Sequence, residues 1–397
     1  MLLNTPFFFS YSIYFRSIFL LFTLILLLSV SSSLLAQSTK KRFIFEGVYT
    51  LDLATNMSGG LEQGFAYLGN IDLTFTFDTE KLGFWKNGSF FVYILNNNGN
   101  ALSTLMGDFQ IANNIEADSN SRLYEFWYEH RFKKGSITLG QHNLNSVFAI
   151  TEAGGFFVNS SFGIQPDISA NIPTSIFPIA GLGAFISLDL TSNLHFTNGI
   201  YDGDPGSQVS NPNSLKWSLN SSDGALIIHE LSYEKKKDSI TRATYKLGFW
   251  NHTQNQTFNG INQNSAQGIY FIGDEKLTYL ENNTKGLKVF TQVGFSPNQY
   301  NPVKSYWGGG FIYKGLFTSR ENDTGGIAIA HTRFSPYYQS LFSIGKLQNE
   351  TAIEISYEFI FSNPLVLKPN VQYIINPGSN TTIPNALMAL VRMSYSW

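Results

Sequence analysis

Residues 121–133 read S-R-L-Y-E-F-W-Y-E-H-R-F-K, and the two faces of that stretch decide the fold. With a period of two, Tyr124, Phe126, Tyr128 and Phe132 fall on one side. Glu125, Trp127, Glu129 and Arg131 fall on the other. Successive strand side chains point to opposite faces, so this is a strand with an aromatic side and a charged side. Two settings accommodate it. A soluble sandwich buries the aromatics in a core and leaves the charges in bulk water. A transmembrane barrel puts the aromatics in lipid and the charges in a water-filled lumen.

Composition narrows the choice. The chain has 397 residues with 26 Lys+Arg against 28 Asp+Glu, a balance that offers no basic face to a nucleic acid. Only 14% of residues are charged and 15% are aromatic, which does not make a conventional soluble surface. A mean hydropathy of -0.06 is nevertheless too polar for a bundle of membrane helices. Cysteine is absent, which removes zinc–thiolate sites, iron–sulfur clusters, disulfides and cysteine nucleophiles together. The histidines have no paired metal spacing, and Asp167, Asp202 and Asp204 match no calcium loop. Neither a cofactor nor a metal is expected.

At the amino terminus Arg16 is the only charge before an apolar run at 18–30, and Leu34-Leu35-Ala36 precedes Gln37. That pattern is a signal peptide over 1–36, leaving 37–397 as one domain. No later stretch is long and apolar enough to cross a membrane as a helix, so membrane residence requires a barrel.

Working outward, Phe43, Phe45, Tyr49, Leu51 and Leu53 oppose Glu46, Thr50 and Asp52; Phe65, Tyr67, Ile71, Leu73, Phe75 and Phe77 oppose Asn70, Asp72, Thr74 and Thr76. The run 89–95 is apolar on both faces, and a polar loop is expected at 96–120. A return strand at 136–143 follows a turn at Lys134-Gly135. The interval 144–181 has no strand pattern but is rich in Gly, Pro, Phe and Asn. A structureless interval of that length is usually functional, and its apolar content places it inside the lumen as a constriction loop. Strands resume at 182–190, 194–201, 225–235, 242–252, 267–276, 286–296, 305–314, 325–334, 350–361, 366–375 and 386–397. The total is about sixteen, the even number that a bacterial barrel needs. The fold expected is all-β: a single transmembrane antiparallel barrel. Leu387, Ala389, Val391, Met393, Tyr395 and Trp397 share one face of the last strand, which ends on an aromatic residue.

That closing strand resembles the insertion signal of bacterial outer-membrane barrels. The motifs L-Y-E-F-W-Y-E (123–129), G-I-Y-D-G-D-P-G (199–206), Y-K-L-G-F-W-N-H (245–252), G-G-G-F-I-Y-K-G-L-F (308–317) and V-Q-Y-I-I-N-P-G (371–378) resemble the carbohydrate-selective porins of the OprB type. The similarity runs in order over nearly the whole mature chain. It implies a sixteen-stranded outer-membrane barrel through which sugars, glucose above all, diffuse passively into the periplasm, and it implies a homotrimer surrounded by outer-membrane lipid. Two departures are visible. The chain passes from Lys40-Lys41-Arg42 straight into a strand, and Gln141 stands where members often carry a cation. Both are expected to bear on the charge and width of the pore.

A neutral sugar presents a ring of hydroxyls and an apolar face, so a selective lumen needs acceptors, donors and an aromatic plane. Glu125, Glu129, Arg131 and Trp127 offer that mixture on one strand. Asn70, Asp72, Glu354, Glu358 and Arg392 share the polar faces of other strands, and Asn159 sits beside Phe156-Phe157 in the constriction interval. The bland alternative is that these charges pair and solvate the wall. A general or ion-preferring porin is the competing transport reading. An outer-membrane enzyme would need a nucleophile beside a His with an orienting group, and no G-x-S-x-G is present. A soluble lectin would leave the closing aromatic strand unexplained.

Overall fold

The computed structural model describes residues 42–397 apart from 238–239, 255, 259–260, 264–265, 279–284, 298–300, 341–348 and 363. The signal peptide expected at 1–36 lies outside the described residues. The strands are β1 (Phe43–Ser58), β2 (Gly64–Asp78), β3 (Gly88–Gly99), β4 (Asn120–Phe132), β5 (Gly135–His142), β6 (Gly181–Asp189), β7 (Leu194–Asp202), β8 (Ala225–Lys237) and β9 (Ile240–His252). A small hairpin, β10 (Gln256–Phe258) and β11 (Ile261–Gln263), stands apart from the main sheet. Then follow β12 (Ala266–Lys276), β13 (Gly286–Phe295), β14 (Val303–Lys314), β15 (Thr324–Phe334), β16 (Glu350–Ser362), β17 (Leu365–Ile375) and β18 (Ala386–Ser396). Without the hairpin, sixteen strands pair antiparallel in sequence order and close β1 onto β18.

The alternation read from the sequence decides which side of the wall each residue occupies. Phe65, Tyr67, Leu139, Leu247, Phe311, Ile355 and Val391 all point outward, and Phe65 is 62% exposed. A band of that kind in water would be an aggregation surface. In a bilayer it is the lipid-facing belt of a closed barrel, in which every strand edge is paired. The soluble sandwich is therefore excluded. At the seam, Trp397 and Gly47 exchange backbone hydrogen bonds of 3.0 and 3.2 Å. A Cβ on Gly47 would fall 2.2 Å from the indole, so a side chain there would have to displace Trp397.

One residue of the deciding stretch departs from its expected face. The register slips between Tyr93 and Ile94, which pair with Glu125 and Leu123 and leave Tyr124 as an extra residue in β4. This β-bulge flips the parity. Phe126, Tyr128 and Phe132 face out as expected, but Tyr124 faces inward and is 3% exposed. The same pairing explains the two-sided run at 89–95. Phe90, Val92 and Ile94 face lipid, while Phe91, Tyr93 and Leu95 face a partly filled lumen. The strand runs on to Gly99, further than expected.

The start of β1 and the end of β18 lie at the end of the barrel that carries the tight turns at 133–134 and 190–193. The opposite end carries the connections 100–119, 143–180 and 203–224. In outer-membrane barrels the short turns face the periplasm and the longer loops face outside. The segment 203–224 folds back over the outer wall, where Trp217 stacks on Phe126 (6.1 Å) and donates to Gln141 Oε1 at 2.6 Å. Gln141, paired with the outward-facing Phe126, thus lies on the outer side of the wall beneath this segment and not in the pore lining.

The interval 144–181 enters the lumen as expected and is built of short helical turns, the last at Pro166–Ser169. Phe157 packs on Phe162 (5.2 Å) and Phe290 (5.8 Å). Room for the loop comes from glycines on the inner wall. A Cβ on Gly294 would fall 2.0 Å from Asp167 Oδ1, and one on Gly326 would fall 3.0 Å from the Phe157 ring. The segment 100–119, expected to be a plain polar loop, also turns inward. Asn113 donates to Asp52 (2.7 Å), and the Phe109 and Gln110 amides donate to Glu350 (both 2.8 Å).

Candidate functional site: the constriction

Between the two inward segments and the wall formed by β2–β4 lies a cavity of about 590 Å³. Asn70, Asp72, Tyr93, Asn114, Glu116 and Arg392 are among its lining residues. The polar side is held in place by its own bonds. Asn70 Nδ2 donates to both oxygens of Asp72 (2.7 and 2.8 Å), and the Tyr93 hydroxyl donates to Asp72 Oδ1 at 2.6 Å. Arg392 donates to Asp52 through Nε and Nη2 (2.8 and 2.7 Å) and to Asn114 Oδ1 at 2.8 Å. A bidentate pair of this kind fixes the guanidinium plane. Glu116 receives the Leu102 and Ser103 amides (2.8 and 3.0 Å). Burial pushes its carboxyl above the ordinary range, against the pull of those two donors. Burial, with the Glu350 carboxylate close by, pushes Asp108 in the same segment up to about 8.

The apolar side is a chain of rings. Phe177 meets Tyr124 edge-on at 6.2 Å, and Tyr124 meets Tyr93 at 5.0 Å. Phe91 lies 6.3 Å from Tyr93 and stacks on Trp127 at 4.7 Å and 22°. Donors and acceptors beside a run of ring faces make a surface that a pyranose can slide along.

The expected site residues divide into three groups. Asn70, Asp72 and Arg392 line the cavity together. Trp127, Glu129 and Arg131 continue along β4 towards the periplasmic mouth; Glu129 and Arg131 are paired at 2.6 Å, and the Arg131 side chain is 75% exposed. Glu125 sits between, 4% exposed, receiving the Trp127 indole N–H (3.0 Å) and the Asn143 amide (3.1 Å). Glu354 and Asn159 are engaged in fastening the loop. Glu354 receives the amides of Val158 (2.7 Å) and Asn159 (2.9 Å), and Asn159 Nδ2 donates to Gln372 at 3.1 Å. Glu358 pairs with Lys368 at 2.9 Å, and Lys368 stands directly opposite Arg392 in the β17–β18 register.

Tyr93, Tyr124, Phe177, Asn114 and Glu116 escaped the sequence reading. Counting parity across the β2–β3 hairpin from the clear alternation of β2 would have found Tyr93. Tyr124 was hidden by the bulge, and the other three lie in segments without a period.

Among the described residues His142 has a catalytic look, because Nε2 lies 3.3 Å from Ser146 Oγ and 3.9 Å from Glu125. Both contacts fall on the same nitrogen, while Nδ1 faces the Tyr201 hydroxyl at 3.2 Å. A triad needs the acid and the nucleophile on opposite nitrogens.

Residues 62–396 match the family described as "Carbohydrate-selective porin, OprB family". Porin B of Pseudomonas aeruginosa is 23% identical over 403 residues, covering 89% of this chain and 87% of that protein. The high-pH structure of Pseudomonas putida OprB superposes with a TM-score of 0.81 at 20% identity, covering 89% of this chain and 94% of that one. The outer-membrane channel DcaP of Acinetobacter baumannii gives 0.59 at 11% identity, covering 89% and 97%.

Proposed function

The chain belongs to the carbohydrate-selective porin family, and from that premise we propose which of its residues select the sugar. It is a passive outer-membrane channel for carbohydrates, not an enzyme. The gradient drives the flux, and binding at the narrow point has only to be strong enough to raise occupancy and weak enough to release.

In this reading the sugar enters from outside into the cavity beside segments 100–119 and 144–181. Asp72, Asn70 and Glu116 accept from or donate to its hydroxyls. Arg392, held flat by Asp52, donates to ring and hydroxyl oxygens. The ring face then passes from Phe177 and Tyr93 to Phe91 and Trp127, with Glu129 and Arg131 at the lower end. The observation that carries the reading is the run of hydrogen-bonding groups and rings along one inner wall, of which Asn70, Asp72, Tyr93, Tyr124 and Phe177 line the cavity and Phe91 and Trp127 continue below it. The preference for glucose-type monosaccharides and the assembly as a homotrimer belong to the same proposal.

The test is uptake of glucose into liposomes by refolded mature protein. Trp127→Ala removes a ring contact of the kind worth ~0.5–1.5 kcal/mol, so glucose uptake should slow by a few-fold. Uptake of glycine, which has no ring face, should be unaffected. Equal slowing of both solutes would mean that Trp127 shapes the wall rather than the sugar.

A further inference from the structure

On the outer face of the wall, at the end that carries the long connections, lies a cleft of about 480 Å³ lined by His331, Arg333, Gln339, Asn349 and Thr351. Strand parity places it. Ala328, Ala330, Thr332 and Phe334 of β15 are buried towards the lumen, so Ile327, His331 and Arg333 point the other way. Thr351 stands directly opposite His331 and shares that outward face, its hydroxyl 2.8 Å from His331 Nδ1.

The rings beside the cleft fix its depth in the membrane. Trp307 on β14 is directly opposite His331 and is 44% exposed. Tyr373 on β17 is opposite Ile353, the next outward residue after Thr351, and is 40% exposed. Trp and Tyr rings on the lipid side of a barrel mark the level where hydrocarbon gives way to headgroups. Arg333 lies one outward step beyond that level, one residue from the end of β15.

The charge at this level is unbalanced. Arg333 is exposed and has no hydrogen bond or ion pair among the described residues. No carboxylate is among the lining residues. The adjacent acid of β16, Glu350, is fully buried towards the lumen and occupied by the Phe109, Gln110 and Gly378 amides. A guanidinium fork matches a phosphate with two parallel hydrogen bonds. The Gln339 and Asn349 amides are further donors for the remaining oxygens.

We infer that this cleft binds the phosphorylated headgroup of an outer-leaflet lipid, with Arg333 on the phosphate and Trp307 and Tyr373 against the start of the acyl chains. A lipid rather than a free anion is the occupant because the cleft opens above the apolar belt of Ile327, Ile355 and Val371, not into the lumen. The inference goes beyond the sugar-channel reading and needs only the placement of the barrel in the outer membrane.

The experiment is native mass spectrometry of the refolded mature protein titrated with lipid A and with its dephosphorylated form, beside liposome swelling in glucose. The unaltered protein should retain lipid A several-fold better than the dephosphorylated lipid. Arg333→Gln should lose most of that preference and Arg333→Lys should keep part of it, with glucose entering all of them at the same rate. No preference for the phosphorylated lipid in the unaltered protein, or the same preference in Arg333→Gln, would overturn the inference. Displacement of lipid A by inorganic phosphate alone would assign the cleft to free anions. Loss of oligomer mass in Arg333→Gln with lipid binding unchanged would assign it to a second copy of the chain, and slower glucose entry through that variant would put Arg333 in the pore. Each of these results also overturns the lipid site.

Discussion

Asp167 is fully buried against Gly294, and neither of its carboxylate oxygens has a hydrogen-bond partner among the described residues. Burial pushes its carboxyl from the ordinary 3.8 up to about 7, so the docked loop favours the protonated form. The sign follows from linkage. Between those two values the docked state binds more protons than the undocked one, so docking weakens as the pH rises from 3.8 to about 7 and levels off above it. Asp167→Asn should remove that dependence and leave the loop equally protected from hydrogen exchange across the window. A decline in the variant as steep as in the unaltered protein would assign the pH effect to another group. At this scale the sequence was only partly legible. The alternation of β4 placed Glu125, Trp127, Glu129 and Arg131 on the inner wall, because parity needs nothing beyond a regular strand. Tyr124 was misplaced because a bulge is set by the partner strand, which the residues of β4 do not display.

The element that controls the pore is the inward loop, and its hold on the wall is a set of charged acceptors. Glu354 takes two consecutive loop amides and also accepts from Ser356 (2.8 Å) and Asn370 (2.5 Å). Glu350 does the same for segment 100–119 and adds the Gly378 amide at 2.6 Å. Losing one partner of a buried hydrogen bond costs about 1–3 kcal/mol, and more where a charge is involved. Glu354→Ala should therefore release the middle of the loop while leaving the barrel closed. The size limit for oligosaccharides should rise, with unchanged resistance of the folded barrel to detergent. An unaltered size limit would show that the apolar contacts of Phe157 and Phe162 hold the loop without Glu354. The inward course of 144–181 could be read from its length and its apolar content, which would be stranded in water anywhere but the lumen. The course of 100–119 could not. Two of its anchors are the Phe109 and Gln110 amides on Glu350, which leave no mark in a sequence, and the side-chain anchors Asn113 and Asn114 lie in a segment with no period to place them.

For the molecule as a whole, low charge, abundant aromatics and a closing strand ending in Trp397 describe a barrel because each strand must satisfy lipid and water at once. Strand number and order were legible for that reason, since period-two alternation is repeated wherever the wall crosses the membrane. The division of labour around the lumen was not. Polar bonding and ring faces sit beside β2–β4, and loop anchors sit on β8, β12, β16 and β17, an arrangement that appears only once the sheet is closed.

The central claim is that this lumen prefers sugars and does not merely admit anything small enough. Its most direct test is the swelling rate of liposomes carrying the refolded mature protein, in glucose against an amino acid of similar size. Swelling should be faster in glucose, and that advantage should shrink in Trp127→Ala. Equal rates for the two solutes would contradict it.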